Sequence, residues 1–303
     1  MDNIILLFLC LALGIGLRFV KSFPLNGHVV LNHFVIYISL PALALFYIPK
    51  IEITSKLLFP VGVAWLGFIL SFLFFSGLGK WLGWSKKLTG CLVLTGGLSN
   101  TAFIGYPVIE ALYGSEGLQI AIMTDQPGSF VVISTLGVAT AAFYSKGATT
   151  AKTILSKIFF FPPFIAFTIA CILNFAQTDF PEVFQKVFFK LGGTVTAIAL
   201  VAVGLQLKID RQSKHWNFLT LGLAFKLLLM PTFFILLYKI ILDGEGIVAD
   251  ASIMQSAMAP MITASILASN YGLKPKLSTM MVGVGIPLSF LTLAFWYWIL
   301  KLI

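Results

Sequence analysis

Charge is what this 303-residue chain has least of: 20 basic and 11 acidic residues, 10% of the total, against about 25% in a soluble domain. So few charges cannot cover the surface of a soluble protein of this length, so a soluble enzyme or binding module is excluded. Cysteine is scarce too. Cys10, Cys91 and Cys171 lie singly inside apolar stretches without paired spacing, the pattern of small buried hydrophobes rather than disulfides or metal ligands. There are three histidines, and no P-loop, Asp-rich diphosphate motif or His/Glu metal cluster. Enzymatic chemistry and nucleotide-driven pumping therefore have no residues to stand on, and no cofactor is called for.

What remains is apolar. Residues of the Ala/Val/Ile/Leu/Met/Phe/Trp/Tyr/Cys class make up 59% of the chain, with 29 Phe, and mean hydropathy is +0.99. The expectation is an all-α polytopic membrane protein, since a spanning helix needs about 20 mostly apolar residues and lipid offers the backbone no hydrogen-bond partners. Apolar segments fall near 3–20, 29–48, 57–79, 88–113, 117–144, 157–177, 184–207, 216–241, 250–272 and 276–300, predicting ten transmembrane helices. The alternating ten-residue strands of a barrel are missing. The opening Met1-Asp2-Asn3 has no basic n-region and no small-x-small cleavage site, so residues 3–20 read as a retained span.

The net charge of +9 is dispersed as single or paired basic residues between apolar runs, which is membrane anchoring and not a nucleic-acid surface. With the N-terminus outside, alternate loops put thirteen Lys and Arg inside (Arg18, Lys21, Lys80, Lys86, Lys87, Lys146, Lys152, Lys157, Lys208, Arg211, Lys214, Lys274, Lys276). Six fall outside (Lys50, Lys56, Lys186, Lys190, Lys239, Lys301). The positive-inside rule then predicts a multi-pass plasma (inner) membrane protein with both termini outside.

Two dipeptides recur at an offset of 158: Tyr113-Gly114 with Tyr271-Gly272, and Lys50-Ile51 with Lys208-Ile209. The segment boundaries repeat with them, predicting two inverted five-helix repeats, 1–144 and 157–303, joined by a cytoplasmic linker at 145–156. Inverted repeats are a transporter signature.

The chemistry sits in two interruptions. Gly96, Gly97, Ser99, Asn100, Thr101, Gly105 and Pro107 crowd the fourth segment, and Gln255, Pro260 and Thr263 lie in the ninth. Proline and glycine break helices, and paired broken helices in matching halves point to a substrate site. A half-helix N-terminus in mid-membrane offers unpaired N–H groups to a carboxylate. The candidate substrate-binding residues are Asn100, Thr101, Pro107, Gln255, Pro260 and Thr263; the alternative is a pair of proline kinks satisfied by neighbours. Two further charges lie within spans. Asp125, beside Pro127, is a candidate proton or cation carrier, and Lys226 a countercharge to Asp125 or to an anionic substrate. A structural ion pair, or Lys226 snorkelling and Asp125 at the interface, is the plainer alternative. Glu110 reads as a solvated rim, Arg18 as an interface anchor, and His28, His33 and His215 as loop or interface groups. Gly14, Gly16, Gly192 and Gly193 read as close helix packing.

The run Ser99-Asn100-Thr101-Ala-Phe-Ile-Gly105-Tyr-Pro107 resembles the fourth-helix motif of the auxin efflux carrier family. Leu40-Pro41-Ala42, Lys226 to Pro231, Ala259-Pro260, Leu267 to Gly272 and Gly283 to Phe290 are similar in the same order. The resemblance covers the whole chain, without the long hydrophilic loop of the larger plant proteins. It implies ten helices in two inverted repeats, with helices four and nine broken and crossing where substrate binds. Helices one, two, six and seven would form a scaffold and the other six a moving transport domain. Asn100 and Pro107 match the first crossover and Pro260 the second. Family members include plant auxin exporters and bacterial carriers of malate or malonate, so the expected partner is a small organic anion, within membrane lipid and with a homodimer allowed. The expected activity is secondary, elevator-like transport, export being favoured by an inside-negative potential, with coupling to protons or another ion or to the potential alone. A transporter-derived sensor or anion channel is the alternative.

Overall fold

The computed structural model describes residues 2–24, 26–51, 54–145, 160, 162–206 and 216–303. The expected linker beyond Ser145 lies outside them, as do His215 and six of the inner basic residues: Lys146, Lys152, Lys157, Lys208, Arg211 and Lys214. Among the described residues there is no β-strand. The helices are α1 (Asp2–Leu17), α2 (Gly27–Phe34), α3 (Leu40–Tyr47), α4 (Leu58–Trp81), α5 (Lys86–Gly97), α6 (Tyr106–Thr124) and α7 (Val138–Tyr144). They continue as α8 (Pro162–Phe175), α9 (Glu182–Gly192), α10 (Thr194–Gln206), α11 (Trp216–Ala224), α12 (Met230–Ile235), α13 (Gly246–Ser256), α14 (Ile262–Asn270) and α15 (Pro275–Leu302).

Joined end to end, these give six helices long and apolar enough to cross a membrane: Gly27–Lys50, Ser55–Trp81, Thr101–Tyr144, Glu182–Leu205, Trp216–Ile241 and Pro275–Leu302. This is a polytopic all-helical membrane protein. The tally differs from the ten expected segments for physical reasons. Segment 250–272 is cut by its interruption into helices of 11 and 9 residues, and segment 88–113 into a first helix of 12 residues and a remainder that runs on with 117–144 as Thr101–Tyr144. The first and sixth are helices of 16 and 14 residues. Beyond the first interruption the chain runs helically through Tyr113, with only a kink at Gly114 (φ 66°, ψ −157°).

Several spans widen locally into π-turns, at Val35–Ser39, Thr101–Gly105, Asp125–Phe130 and Phe225–Leu229. Each of these four contains a proline or lies two residues before one (Pro41, Pro107, Pro127, Pro231), whereas the π-turns at Ile133–Gly137 and Leu236–Ile241 have none nearby. Proline lacks an N–H and its ring crowds the carbonyl four residues back, so the turn opens and that carbonyl needs another donor. At Pro231 the carbonyl in question is that of Leu227, and the Trp296 indole donates to it at 2.8 Å. The Trp65 indole likewise donates to the Pro127 carbonyl at 3.1 Å.

The chain forms two compact units. One gathers the described residues within Met1–Ser55, Ala102–Ile122 and Leu155–Leu207. Its tightest packing is α1 on α10, where Gly14 and Gly204 face each other: a Cβ built on Gly204 would lie 2.9 Å from Gly14 Cα and from Ile15 N. Gly192 packs on Leu43, whereas Gly16 has open space around it, so Gly16 plays no part in the packing expected of it. Glu110 is half-buried and accepts from Thr196 Oγ1 at 2.7 Å, a tied carboxylate instead of a solvated rim. At the end of α3 the Asn174 side-chain amide donates to the carbonyls of Ile48, Pro49 and Ile51 at 2.8, 3.1 and 2.7 Å. These carbonyls lie at a helix terminus, where acceptors go short of backbone donors; that of Ile48 also takes the Ile51 amide at 3.1 Å. Asn174→Ala is expected to lower stability by about 1–3 kcal/mol, read as a fall in unfolding temperature of the purified protein; an unchanged midpoint would show that water caps these carbonyls equally well.

The second unit gathers Lys56–Thr101, Met123–Ile154 and Lys208–Ile303, again over the described residues. Here α4 packs on α5 and α13, and α14 on α15. An ion pair of 2.7 Å joins Lys239 to Asp250. The second interruption lies in this unit, as does the first up to Thr101.

Candidate functional site at the crossing of two broken helices

Helix α5 stops at Gly97 and the chain turns extended at Leu98 (φ −116°, ψ 130°). Helix α13 stops at Ser256, and the chain is extended again by Met261 (φ −66°, ψ 128°). The two extended stretches pair antiparallel, Ser99 opposite Pro260. The Asn100 amide donates to the Ala259 carbonyl at 2.8 Å, and the Met261 amide to the Leu98 carbonyl at 3.0 Å. In this register both bonds flank the Ser99/Pro260 pair, so proline's missing N–H costs nothing. Two helices broken inside an apolar unit thus satisfy each other's exposed backbone, as a buried main chain requires.

Around this pairing the polar side chains are buried. Lys226, fully buried, donates from Nζ to Ser99 Oγ at 2.6 Å and to the Ser256 carbonyl at 2.7 Å. Ser99 Oγ in turn donates to the Ser256 carbonyl at 3.3 Å. Gln255 donates to the Thr101 carbonyl at 3.4 Å. Thr101 Oγ1 donates to Asp125 Oδ1 at 2.6 Å, and Gln126 Nε2 to Asp125 Oδ2 at 2.8 Å. The acceptor oxygens of Gln255 and Gln126 are buried without a partner. A chain of hydrogen bonds therefore runs from Gln255 through the Thr101 backbone and side chain to Asp125.

The structure brings together Asn100, Thr101, Gln255 and Pro260, joins Asp125 to them through Thr101, and joins Lys226 through Ser99 and Ser256. Pro107 is buried at the start of α6, in the other unit. Thr263 is exposed on the first turn of α14. Lys226 and Asp125 make no ion pair with each other: both oxygens that Lys226 binds are uncharged. Lys226 does not snorkel either, having no exposed surface. Three contributors carried no role in the sequence reading: Ser99 and Ser256, which hold the lysine, and Gln126, which holds the aspartate. Gln126 had a signal, an amide next to an intramembrane acid, and Ser99 lay in the polar run of the fourth segment; Ser256 had none.

A model of a family described as "Membrane transport protein" matches residues 1–297. An uncharacterized transporter of Methanocaldococcus jannaschii is 28% identical over 281 residues, covering 89% of this chain and 89% of the relative. An uncharacterized transporter of Methanothermobacter thermautotrophicus is 24% identical over 214 residues, covering 71% and 69%.

Proposed function

The chain belongs to the membrane transport protein family, that of the auxin efflux carriers, and from that premise we propose that it is a secondary transporter of a small organic anion, with the crossing as its substrate site. One observation carries this reading. A lysine ammonium is buried where two broken helices meet, bound to neutral oxygens, with no carboxylate in ion-pairing distance among the described residues. Uncompensated positive charge inside a membrane protein is expensive unless something negative visits it. The first turn of α14, which starts beside Pro260, adds amides that favour a carboxylate. Asn100, Thr101 and Gln255 supply hydrogen bonds, Thr263 and Pro107 flank the interruptions in sequence, and Asp125 is the candidate proton carrier.

Ten helices in two inverted repeats, 1–144 and 157–303, remain our reading of the topology, with both termini outside the plasma membrane. It is supported by Gly114 and Gly272, each following a tyrosine and 158 residues apart, which both take left-handed φ values of 66° and 67°. An elevator-like step is supported by how the chain groups. Expected segments one, two, six and seven share a compact unit with residues 102–122, and the third, eighth, ninth and tenth share the other unit with the first part of the fourth. An inside-negative potential favours export, by about 2.3 kcal/mol per charge per 100 mV. A homodimer is compatible with this scheme.

The test is electrical. Purified protein in liposomes is challenged with mono- and dicarboxylates while transient currents are recorded. A saturable current for one acid class is expected, with its half-saturating concentration raised roughly 5- to 100-fold by Asn100→Ala, the equivalent of about 1–3 kcal/mol for a lost buried hydrogen bond. Equal affinity in wild type and mutant would move the site away from the crossing.

A further inference from the structure

The position of the Lys226 ammonium relative to the helix ends carries a second conclusion. Ser99 lies two residues past the end of α5, and Ser256 is the last residue of α13. Nζ therefore sits at the C-terminal ends of two helices, where the peptide dipoles present partial negative charge. In carriers built on broken helices, carbonyls at such ends are where coupling cations are held. Here the two oxygens at 2.6 and 2.7 Å are filled by a covalently attached cation. The lysine is also held firmly: it belongs to the π-turn Phe225–Leu229, and the neighbouring Leu227 carbonyl is locked by Trp296. The charged groups on the packed elements are otherwise engaged or remote. Asp250 on α13 pairs with Lys239, and Asp125 is bound by Thr101 and Gln126.

We infer that Lys226 is a tethered cation: its ammonium occupies the place of a coupling metal ion at the crossing, so the carrier works without sodium or potassium. The inference rests on reading the crossing as the transport site. It assigns that site a built-in positive contact, which meets the substrate's negative charge and keeps the helix ends together when the site is empty. Removing the side chain back to Cβ leaves oxygens suited to a free monovalent cation, and binding of that cation becomes measurable.

The experiment compares unfolding temperatures of purified wild type, Lys226→Ala and Lys226→Met in sodium, potassium, ammonium and choline chloride at equal ionic strength. Wild type is expected to unfold within about 1 °C in all four. Lys226→Ala is expected to gain about 4 °C or more in sodium or ammonium over choline, saturating with concentration as ligand binding does. Lys226→Met, which fills the space with an apolar chain, is expected not to respond. A Lys226→Ala protein indifferent to the cation, or a wild type with its own saturable sodium shift, overturns the inference. If Lys226→Ala folds in no salt, wild-type transport decides: equal rates in sodium and choline support the tethered cation, and sodium-dependent rates refute it. No substrate enters the stability measurement, so a wrong choice of organic anion leaves that result intact.

Discussion

Gly204→Leu is expected to lower the stability of the protein by about 3 kcal/mol or more, a loss of about 6–12 °C in unfolding temperature. The reason is that the three atoms nearest a Cβ at this position are all main chain. The Leu11 carbonyl oxygen would lie 2.5 Å away, and Gly14 Cα and Ile15 N each 2.9 Å. A side-chain neighbour could change rotamer, but a helix backbone can only move away, and with it the whole α1–α10 contact. Packing of this kind is what holds helices together in lipid, where apolar burial between helices gains little. Gly16 provides the control: it lies on the same helix with open space around it, so Gly16→Leu is expected to change stability by no more than about 0.5 kcal/mol. Equal losses for both variants would point to glycine's backbone and away from the interface.

The second large effect concerns Asp125, where two substitutions are expected to separate folding from coupling. Asp125→Ala strands two buried donors, Thr101 Oγ1 and Gln126 Nε2, at about 1–3 kcal/mol each. Asp125→Asn keeps an oxygen for Thr101. Its new amide meets a neighbour able to adapt, because the Gln126 acceptor oxygen has no partner in the native protein and a half-turn of that amide brings it into place. The Asn variant is therefore expected to fold near wild-type stability while losing the only charge in this group. If Asp125 carries the coupling proton, transport by Asp125→Asn loses its pH dependence. The Thr101 hydroxyl suits such a role, since it can donate to the ionised carboxylate and accept from the protonated one. Wild-type pH dependence in the folded Asn variant would remove Asp125 from coupling.

Legibility in the sequence was uneven. The crossing was visible because proline and glycine act locally: Gly96, Gly97 and Pro260 sit in helices they cannot continue, and those are the helices that break. The membrane class was visible because lipid leaves so little room for charge. Lys226 and Asp125 were visible as expensive charges, and opposite charge was the natural guess for their partners. The structure uses neutral groups instead, a hydroxyl 127 residues away and a carbonyl 30 residues away for the lysine. No local pattern marks either one. The direction of Thr263 was not legible, since successive helix positions differ by about 100° and a residue on the first turn can face either way; it is exposed. The boundary drawn at Tyr113-Gly114 coincides with the non-helical Gly114 (φ 66°, ψ −157°), where the chain kinks between two helical stretches.

The pairing of Ser99 with Pro260 is made by amides and carbonyls alone. The pairing itself makes no demand on the side chains at 100 and 101, while Lys226, Ser99 and Gln255 add side-chain bonds across it. With the crossing as substrate site, as proposed, its preference is set by side chains and its architecture by the main chain. On the proposed function, one acid gives way to another through a few side-chain substitutions over an unchanged main-chain pairing.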